Sequence, residues 1–329
     1  MAVKPVTVPD IPARERPTTG APGRGPGRPA ARRPGGLLHE LRKTWSAYAF
    51  IAPGLLMILV FTVFAIAFSF WISFRDWELV SQDRPFVGLE NYRDLADDPR
   101  FGRALVNTAY YTLVSVPLGM LVGLALALLL NKEMRARSMF RALFFFPSIT
   151  PFVIAAIIWK WIYNGDYGLM NYYLDKLGII DDPLLWLADP NLAMPAIILM
   201  SVWAGAGGTM ILYLAGLQGI SEDLYDAAKV DGAGAWHRLR YITFPMLGPT
   251  TAFLFVVGVI GSFQIFAQIF VMTNGGPLDR TTTIAYYIYQ NGFKYFDMGY
   301  ASAISYVLFA ILLGFTVLQF RLTRRYDIL

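Results

Sequence analysis

Residues 221–249 read SEDLYDAAKVDGAGAWHRLRYITFPMLGP, a polar segment joining two long stretches free of charged side chains, one between Asp189 and Glu222 and one between Arg240 and Asp279. Ser221 is suited to cap a helix whose first turn carries Glu222 and Asp223, where the positive end of the helix dipole favours acids. Gly232 follows Asp231 and permits a left-handed stop, and Pro245 and Pro249 restrict where the next helix can begin. The segment reads as a short helix, a turn and a return into an apolar phase. What lies on either side of it therefore decides the fold.

Four more charge-free stretches lie between Lys43 and Arg75, Arg103 and Lys132, Arg141 and Lys160, and Asp297 and Arg321. Each is long enough, or nearly so, to cross a hydrocarbon core that takes about 20 helical residues. The third is the shortest and is extended to about Tyr163. With 56% hydrophobic and 16% charged residues, the chain is too apolar for a soluble domain of 329 residues. The prediction is an all-α polytopic membrane protein of six transmembrane helices. Its parts are a disordered basic tail over 1–44, a first transmembrane helix with an outer loop over 45–104, and a five-helix core over 105–329. The polar loop occupies about 216–247 of that core.

Lysine and arginine set the orientation, because basic loops stay in the cytoplasm. With the N-terminus inside, the inner segments hold 19 basic residues and the outer loops 9, and the richest outer loop also carries seven acids from Asp76 to Asp98. Both termini are expected in the cytoplasm, with the chain multi-pass. The Pro-, Gly- and Arg-rich tail lacks the apolar groups that offset ordering entropy. The first apolar stretch starts late, is long and has no small-residue cleavage pattern, so it is expected to remain as an anchor.

The 221–249 segment carries a spaced pattern: Asp226, Ala227, Ala228, three residues, Gly232, nine residues, Ile242, Thr243, Phe244, Pro245. This resembles the signature loop of ABC-importer permeases, Glu-Ala-Ala, three residues, Gly, nine residues, Ile, any residue, Leu-Pro. Asp for Glu at 226 and Phe for Leu at 244 keep the charge and the apolarity. Leu224 and Tyr225 before the acid, Asp231 to Ala233 after it, and Trp236 beyond are similar to the carbohydrate branch of that family, which includes maltose and glycerol-phosphate permeases. The run Thr273 to Pro277, then Thr281 to Thr283, Tyr289 and Gly299 to Ser305, resembles the same branch.

The resemblance implies a type I ABC importer permease fold in which this helix docks into a cytoplasmic ATP-binding subunit. The residues it assigns to coupling are Glu222, Leu224, Tyr225, Asp226, Ala227, Ala228, Asp231, Gly232 and Pro245. It also implies the partners: a second, different permease, two ATP-binding subunits, and an extracytoplasmic solute-binding protein. A motor in another polypeptide agrees with the sequence, since Gly never precedes Lys and no GxxxxGK[ST] phosphate loop exists.

Other chemistries find little support. The chain has no cysteine, so it holds no disulfide or thiolate site, and neither a metal-ligand spacing nor a cofactor motif appears. Its two histidines, His39 and His237, fall in the inner segments, and no Ser-His-Asp or His-Glu-x-x-His arrangement lies in a span, so no catalytic residue is assigned. The basic excess is explained by the loops and tail, and nucleic acid is not expected as a partner. An ion-gradient-driven secondary transporter is the alternative, but it would usually place acids or histidines inside its spans.

A solute pathway needs helices that expose hydrogen-bonding groups to a central cavity. In the fifth span Gly261, Gln264 and Gln268 recur at helical spacing, with Gly258 on the same stripe. In the fourth, Trp203 precedes Gly205, Gly207 and Gly208, where backbone could approach a ligand. Asn107 and Tyr111 of the second span and Ser302 and Ser305 of the sixth complete the candidates. Gly119 and Gly123 read as helix packing. Amides and aromatic faces suit a neutral sugar or polyol, whereas a glycerol-phosphate-type anion, the other alternative solute, would want arginine.

Overall fold

The computed structural model describes residues 45–132 and 134–323. The basic tail expected over 1–44 lies outside the described residues, as do Arg324 and Arg325. The chain divides into two compact units after Thr62. In the first, α1 (Trp45–Ile58) is apolar along its length and runs into a π-helical turn at Leu59–Phe64.

The second unit begins at Val63 and continues with α2 (Ala65–Ile72), α3 (Glu90–Asp97) and α4 (Pro99–Asn131). The α4 start is chemically marked: Asp98 accepts the Arg100 N–H at 2.8 Å and Pro99 occupies the first turn, where no N–H is needed. Then follow α5 (Arg137–Ile149), α6 (Phe152–Ile162), α7 (Leu169–Lys176) and α8 (Ala193–Gln218). The polar loop carries α9 (Glu222–Val230) and α10 (Ala235–Arg238), a π-turn at Leu239–Thr243, and α11 (Phe244–Met246). Last come α12 (Gly248–Phe263), α13 (Ala267–Met272), α14 (Ile284–Tyr289), a π-turn at Gln290–Lys294, and α15 (Met298–Thr323).

By length and composition, four helical runs can cross a membrane singly: Tyr48–Ile72, Pro99–Asn131, Ala193–Gln218 and Met298–Gln319. The third and fifth apolar stretches are not straight helices. Between α5 and α6 the chain turns by 97°, at Thr150 and Pro151. Proline drives its predecessor out of the helical region, and Thr150 is extended at φ −71°, ψ 127°. Within the fifth, Ala235–Met246 meets Gly248–Phe263 at 60°.

The packing centre is α4 against α8, with α5 laid on the other side of α8. A Cβ on Gly123 would come within 2.5 Å of the Thr209 methyl, and one on Gly207 within 2.3 Å of the Phe144 carbonyl. Small residues at membrane helix contacts let backbones close to this distance. Ser148 then bridges α5 to α8, donating to the Ala204 carbonyl at 2.7 Å and accepting the Gly208 N–H at 3.0 Å. Toward the polar loop, Leu124, Met210, Tyr213 and Leu247 form one apolar cluster; toward the other end, Trp159, Ile197, Met200 and Ile269 form a second.

At that other end a polar knot ties α4 to α14 and α15. Asp98 accepts hydroxyl hydrogen bonds from Tyr287 at 2.5 Å and Tyr300 at 2.8 Å. Arg100 and Arg103 both reach the Asp279 carboxylate, at 3.3 and 3.9 Å. Burial works to raise the Asp98 carboxyl, but the Tyr287 and Tyr300 hydroxyls and the backbone N–H groups of Arg100 and Phe101 outweigh it and hold it below its ordinary value. Burial and the Asp98 carboxylate push the Tyr287 hydroxyl up to about 12. Asp297 is raised, by burial and by the charges of Asp76 and Glu78.

Two expectations follow. Gly207→Leu should lower the melting temperature of the detergent-solubilised chain, by about 1–3 kcal/mol of overpacking, while Gly208→Ala, whose new methyl meets nothing within 4 Å, should cost much less. The lowered carboxyl of Asp98 contributes stability that is fully present above the unfolded pKa near 4 and is lost as pH falls through the folded value. Wild type should therefore melt above Asp98→Asn at pH 7, and the gap should close on acidification below that range. The comparison leaves Asp297 common to both proteins.

Candidate functional site

The polar loop is organised around α9. Ser221 caps it as its sequence position predicts, its hydroxyl accepting the Asp223 N–H at 3.3 Å. At the far end Gly232 has φ +77°, its N–H donates to the Lys229 carbonyl at 3.0 Å, and the Ala233 N–H donates to the Ala228 carbonyl at 2.8 Å. This is the paired hydrogen-bond pattern of a left-handed helix stop, which favours glycine. The stop leaves Leu224, Ala227 and Val230 exposed along α9, with Val230 89% and the neighbouring Trp236 68% accessible. Together they give an otherwise charged helix an exposed apolar face. Glu222 and Asp231 flank it, exposed, and Asp226 pairs with Lys229 at 2.8 Å; Ala228 is half-buried behind it.

Tyr225 and Pro245 depart from their expected parts. Tyr225, which the resemblance assigns to coupling, turns inward: its ring packs on the cluster around Leu217 and Leu247, and its hydroxyl lies 3.0 Å from that of Thr243. It ties α9 to the span that follows. Pro245 does not delay the next helix, which begins at Ala235. The π-turn at Leu239–Thr243 shifts the hydrogen bonding by one residue, with the Phe244 N–H donating to Leu239, and proline, lacking an N–H, follows it. Pro249 sits in the first turn of α12, as expected.

A second site lies where the fifth apolar stretch breaks. Gln264, Ile265 and Phe266 are non-helical between α12 and α13, and Phe266 adopts φ −135°, ψ −57°. In a bilayer the freed backbone groups need partners. The Ile265 carbonyl accepts the buried Thr283 hydroxyl at 3.0 Å. Beside the break opens a cavity of about 500 Å³, within the roughly 300–1,000 Å³ range of small-molecule sites.

Three helices line that cavity with regular stripes. Tyr111, Ser115 and Gly119 come from α4, and Ser201, Gly205 and Thr209 from α8, each set four residues apart on one helical face; α12 adds Gly258 and Ser262. Gln264 and Gln268 come from the break and α13, and Phe152 and Phe266 supply aromatic faces. None of these lining side chains is charged. Ser262 and Thr112 share a hydroxyl hydrogen bond at 2.9 Å in the wall.

Of the pathway candidates, the structure brings Tyr111, Gln264 and Gln268 together. The two glutamines meet through the break, not along one continuous helical stripe as their spacing suggested. Asn107, one turn before Tyr111, donates to the carbonyls of Asp279 and Thr282 at 2.8 and 2.9 Å. Trp203 and Gly207 do not line the cavity: Trp203 packs edge-on against Trp159 at 5.6 Å, and Gly207 receives α5. Both lie about 200° around the helix from Gly205, which does face it. Ser302 and Ser305 are also outside the lining, and Ser305 donates to Ala301 of its own helix at 2.9 Å. Sequence reasoning missed Ser115, Ser201, Thr209 and Ser262. The signal was present as small polar residues recurring every fourth position within apolar spans.

Comparison with known proteins places this geometry. Residues 115–328 match the family described as binding-protein-dependent transport system inner membrane component. The chain is 36% identical over 285 residues, 87% of its length and 96% of the relative's, to a trehalose/maltose transport system permease protein of Thermococcus litoralis. It is 35% identical to a lactose transport system permease protein of Rhizobium radiobacter, with 85% of this chain and 94% of the relative covered. Among solved structures, it superposes with TM-score 0.78 and 26% identity on a chain of a bacterial ABC transporter involved in the import of the acidic polysaccharide alginate, covering 88% of this chain and 98% of that one. A loop with the spacing and helix stop described above and a span broken at a cavity thus sit in a chain that belongs to the binding-protein-dependent transport system inner membrane components, the permease subunits of ABC importers.

Proposed function

We propose that this chain is one half of a permease pair that imports a neutral sugar or polyol, with the cavity beside the broken span as its share of the pathway. The observation that carries this reading is the cavity lining of hydroxyls, two amides and aromatic rings without a charged side chain. Amides and hydroxyls match sugar hydroxyls, and rings cover the apolar face of a pyranose. Relatives named for trehalose, maltose and lactose transport agree with it.

In this reading the loop end faces the cytoplasm, as the basic residues favour, and the exposed face of Leu224, Ala227 and Val230 docks on a separate ATP-binding subunit. Glu222, Asp226 and Asp231 offer carboxylates to that partner, and Gly232 fixes where the docking helix ends. Tyr225 and Pro245 serve from behind, the first holding α9 to the fifth span and the second closing its π-turn. ATP hydrolysis belongs to the partner; an external binding protein delivers the solute and a second permease completes the pathway. Neither a cofactor nor a metal enters this account.

The test is ATP-dependent uptake of radiolabelled trehalose, maltose and lactose by proteoliposomes holding this chain, its second permease, ATPase and binding protein. Uptake of at least one sugar is expected, with ATP hydrolysis stimulated by the loaded binding protein. Gly232→Val, whose β-branched side chain is strained in a left-handed position by about 1–2 kcal/mol, should abolish that stimulation while the complex still assembles. Gln264→Ala and Gln268→Ala should each lower uptake kcat/KM about tenfold, the worth of one well-formed hydrogen bond. Uptake driven by an ion gradient without the ATPase, or preference for a sugar phosphate, would overturn the reading.

A further inference from the structure

Aromatic rings do not stop at the cavity. Phe266, at its edge, stacks on Phe270 with ring centroids 5.5 Å apart and planes 19° apart. Tyr289 meets Phe266 edge-on at 5.1 Å and Phe270 at 5.4 Å, and stacks on Phe293 at 5.7 Å and 23°. The series therefore leads from the cavity to the end of the bundle opposite the polar loop. Its members become more accessible in that direction: Phe266 and Tyr289 are half-buried, Phe270 is 37% exposed and Phe293 62%.

The base of the series is fixed. Tyr286 is fully buried under Tyr289, and the Lys294 ammonium donates to its hydroxyl at 3.1 Å, an arrangement that raises the Lys294 pKa. Tyr289 precedes and Phe293 lies within the π-turn Gln290–Lys294, a hydrogen-bonding pattern that appears frequently at functional sites. Exposed rings in a row, continuous with a cavity lined by hydroxyls and amides, fit a ligand with alternating apolar faces and polar edges. A pyranose has that form.

We infer that Phe270, Tyr289 and Phe293 form a stacking site for a pyranosyl ring, outside the cavity and continuous with it through Phe266, which guides the sugar to or from the broken span. The inference rests on the sugar-permease reading and adds a second place where the solute is held. Stacking is tolerant of sugar identity, so the site favours capture and leaves selection to the amides and hydroxyls inside.

The native sequence has no cysteine, so Phe270→Cys and Phe293→Cys each introduce a single thiol. In the assembled complex, maleimide labelling at 270 should slow at least threefold during turnover of whichever disaccharide the wild-type complex carries. Tyr289→Ala and the mostly exposed Phe293→Ala should lower uptake kcat/KM for that sugar at least tenfold, with Tyr289→Phe close to wild type. Wild-type uptake by the Ala variants would overturn the stacking site while leaving the permease reading intact. So would a thiol at 270 that reacts in the isolated chain but not in the complex, because another subunit would then cover the rings. Absence of carbohydrate uptake by wild type would instead remove the reading beneath it.

Discussion

The break in the fifth span is the constraint on which the rest depends. A helix interrupted within the bilayer exposes backbone groups that hydrocarbon cannot satisfy, each at a cost of several kcal/mol. The chain answers with the segment that follows. Thr283 donates to the freed Ile265 carbonyl. Thr281 and Thr282, fully or almost fully buried, hold the returning loop through the carbonyls of Gly276 and Gly275, at 2.6 and 3.1 Å. Asn107 and Thr108 then fasten the loop to α4, Asn107 through two carbonyls and Thr108 by accepting the Ile284 N–H at 3.0 Å. The three threonines and the Asn-Gly-Gly-Pro turn are thus the support of the cavity, which explains why so polar a segment sits at the end of an apolar span.

The same span begins at the polar loop. From Ala235 to Met272 the chain passes through the π-turn, the 60° bend at Leu247 and the break at Gln264–Phe266. Each is a point where the helical hydrogen-bond ladder is altered, and each has a fixed partner nearby: Tyr225 on Thr243, the apolar cluster around Leu247, and Thr283 on Ile265. Between these points the helix is stiff. In the proposed coupling, a displacement of α9 would be carried along these segments, with hinges at the three altered points.

Legibility in the sequence followed the range of the interaction. The helix caps were readable because their chemistry is local: Ser221 and Gly232 act within one turn of themselves, and both adopted the expected geometry. The apolar stretches were readable because hydrocarbon thickness fixes their length. The 97° turn at Pro151 was less so, since charge-free length carries no information on direction, although the two prolines at 147 and 151 were its trace. The site was half readable. Tyr111, Gln264 and Gln268 stood out as polar residues in apolar runs and line the cavity, whereas Trp203 and Gly207 lie off it because which side of α8 faces α5 is decided by packing between helices distant in sequence. The inward direction of Tyr225 was not readable for a related reason: an aromatic ring with a polar tip suits an external partner and an internal one equally well, and only the position of Thr243 decides between them.

The cavity also limits its occupant by electrostatics. Its walls offer only fixed dipoles, and the arginines nearest to the second span's start, Arg100 and Arg103, are committed to Asp279. Bringing an anion past them into a low-dielectric site would leave its charge to be met by hydroxyls and amides alone, against a desolvation cost of many kcal/mol. A neutral polyol loses only hydrogen bonds to water, and the wall offers the amides of Gln264 and Gln268 and the hydroxyl oxygens of Ser115, Ser201 and Thr209 in exchange, although Ser201 and Thr209 already donate their protons to Ile197 and Gly205. An exchange of this kind is nearly balanced in free energy, so in the proposed reading the solute would be held weakly enough to leave again. In the proposed reading selectivity rests on the two amides, which flank the break whose Ile265 carbonyl Thr283 satisfies.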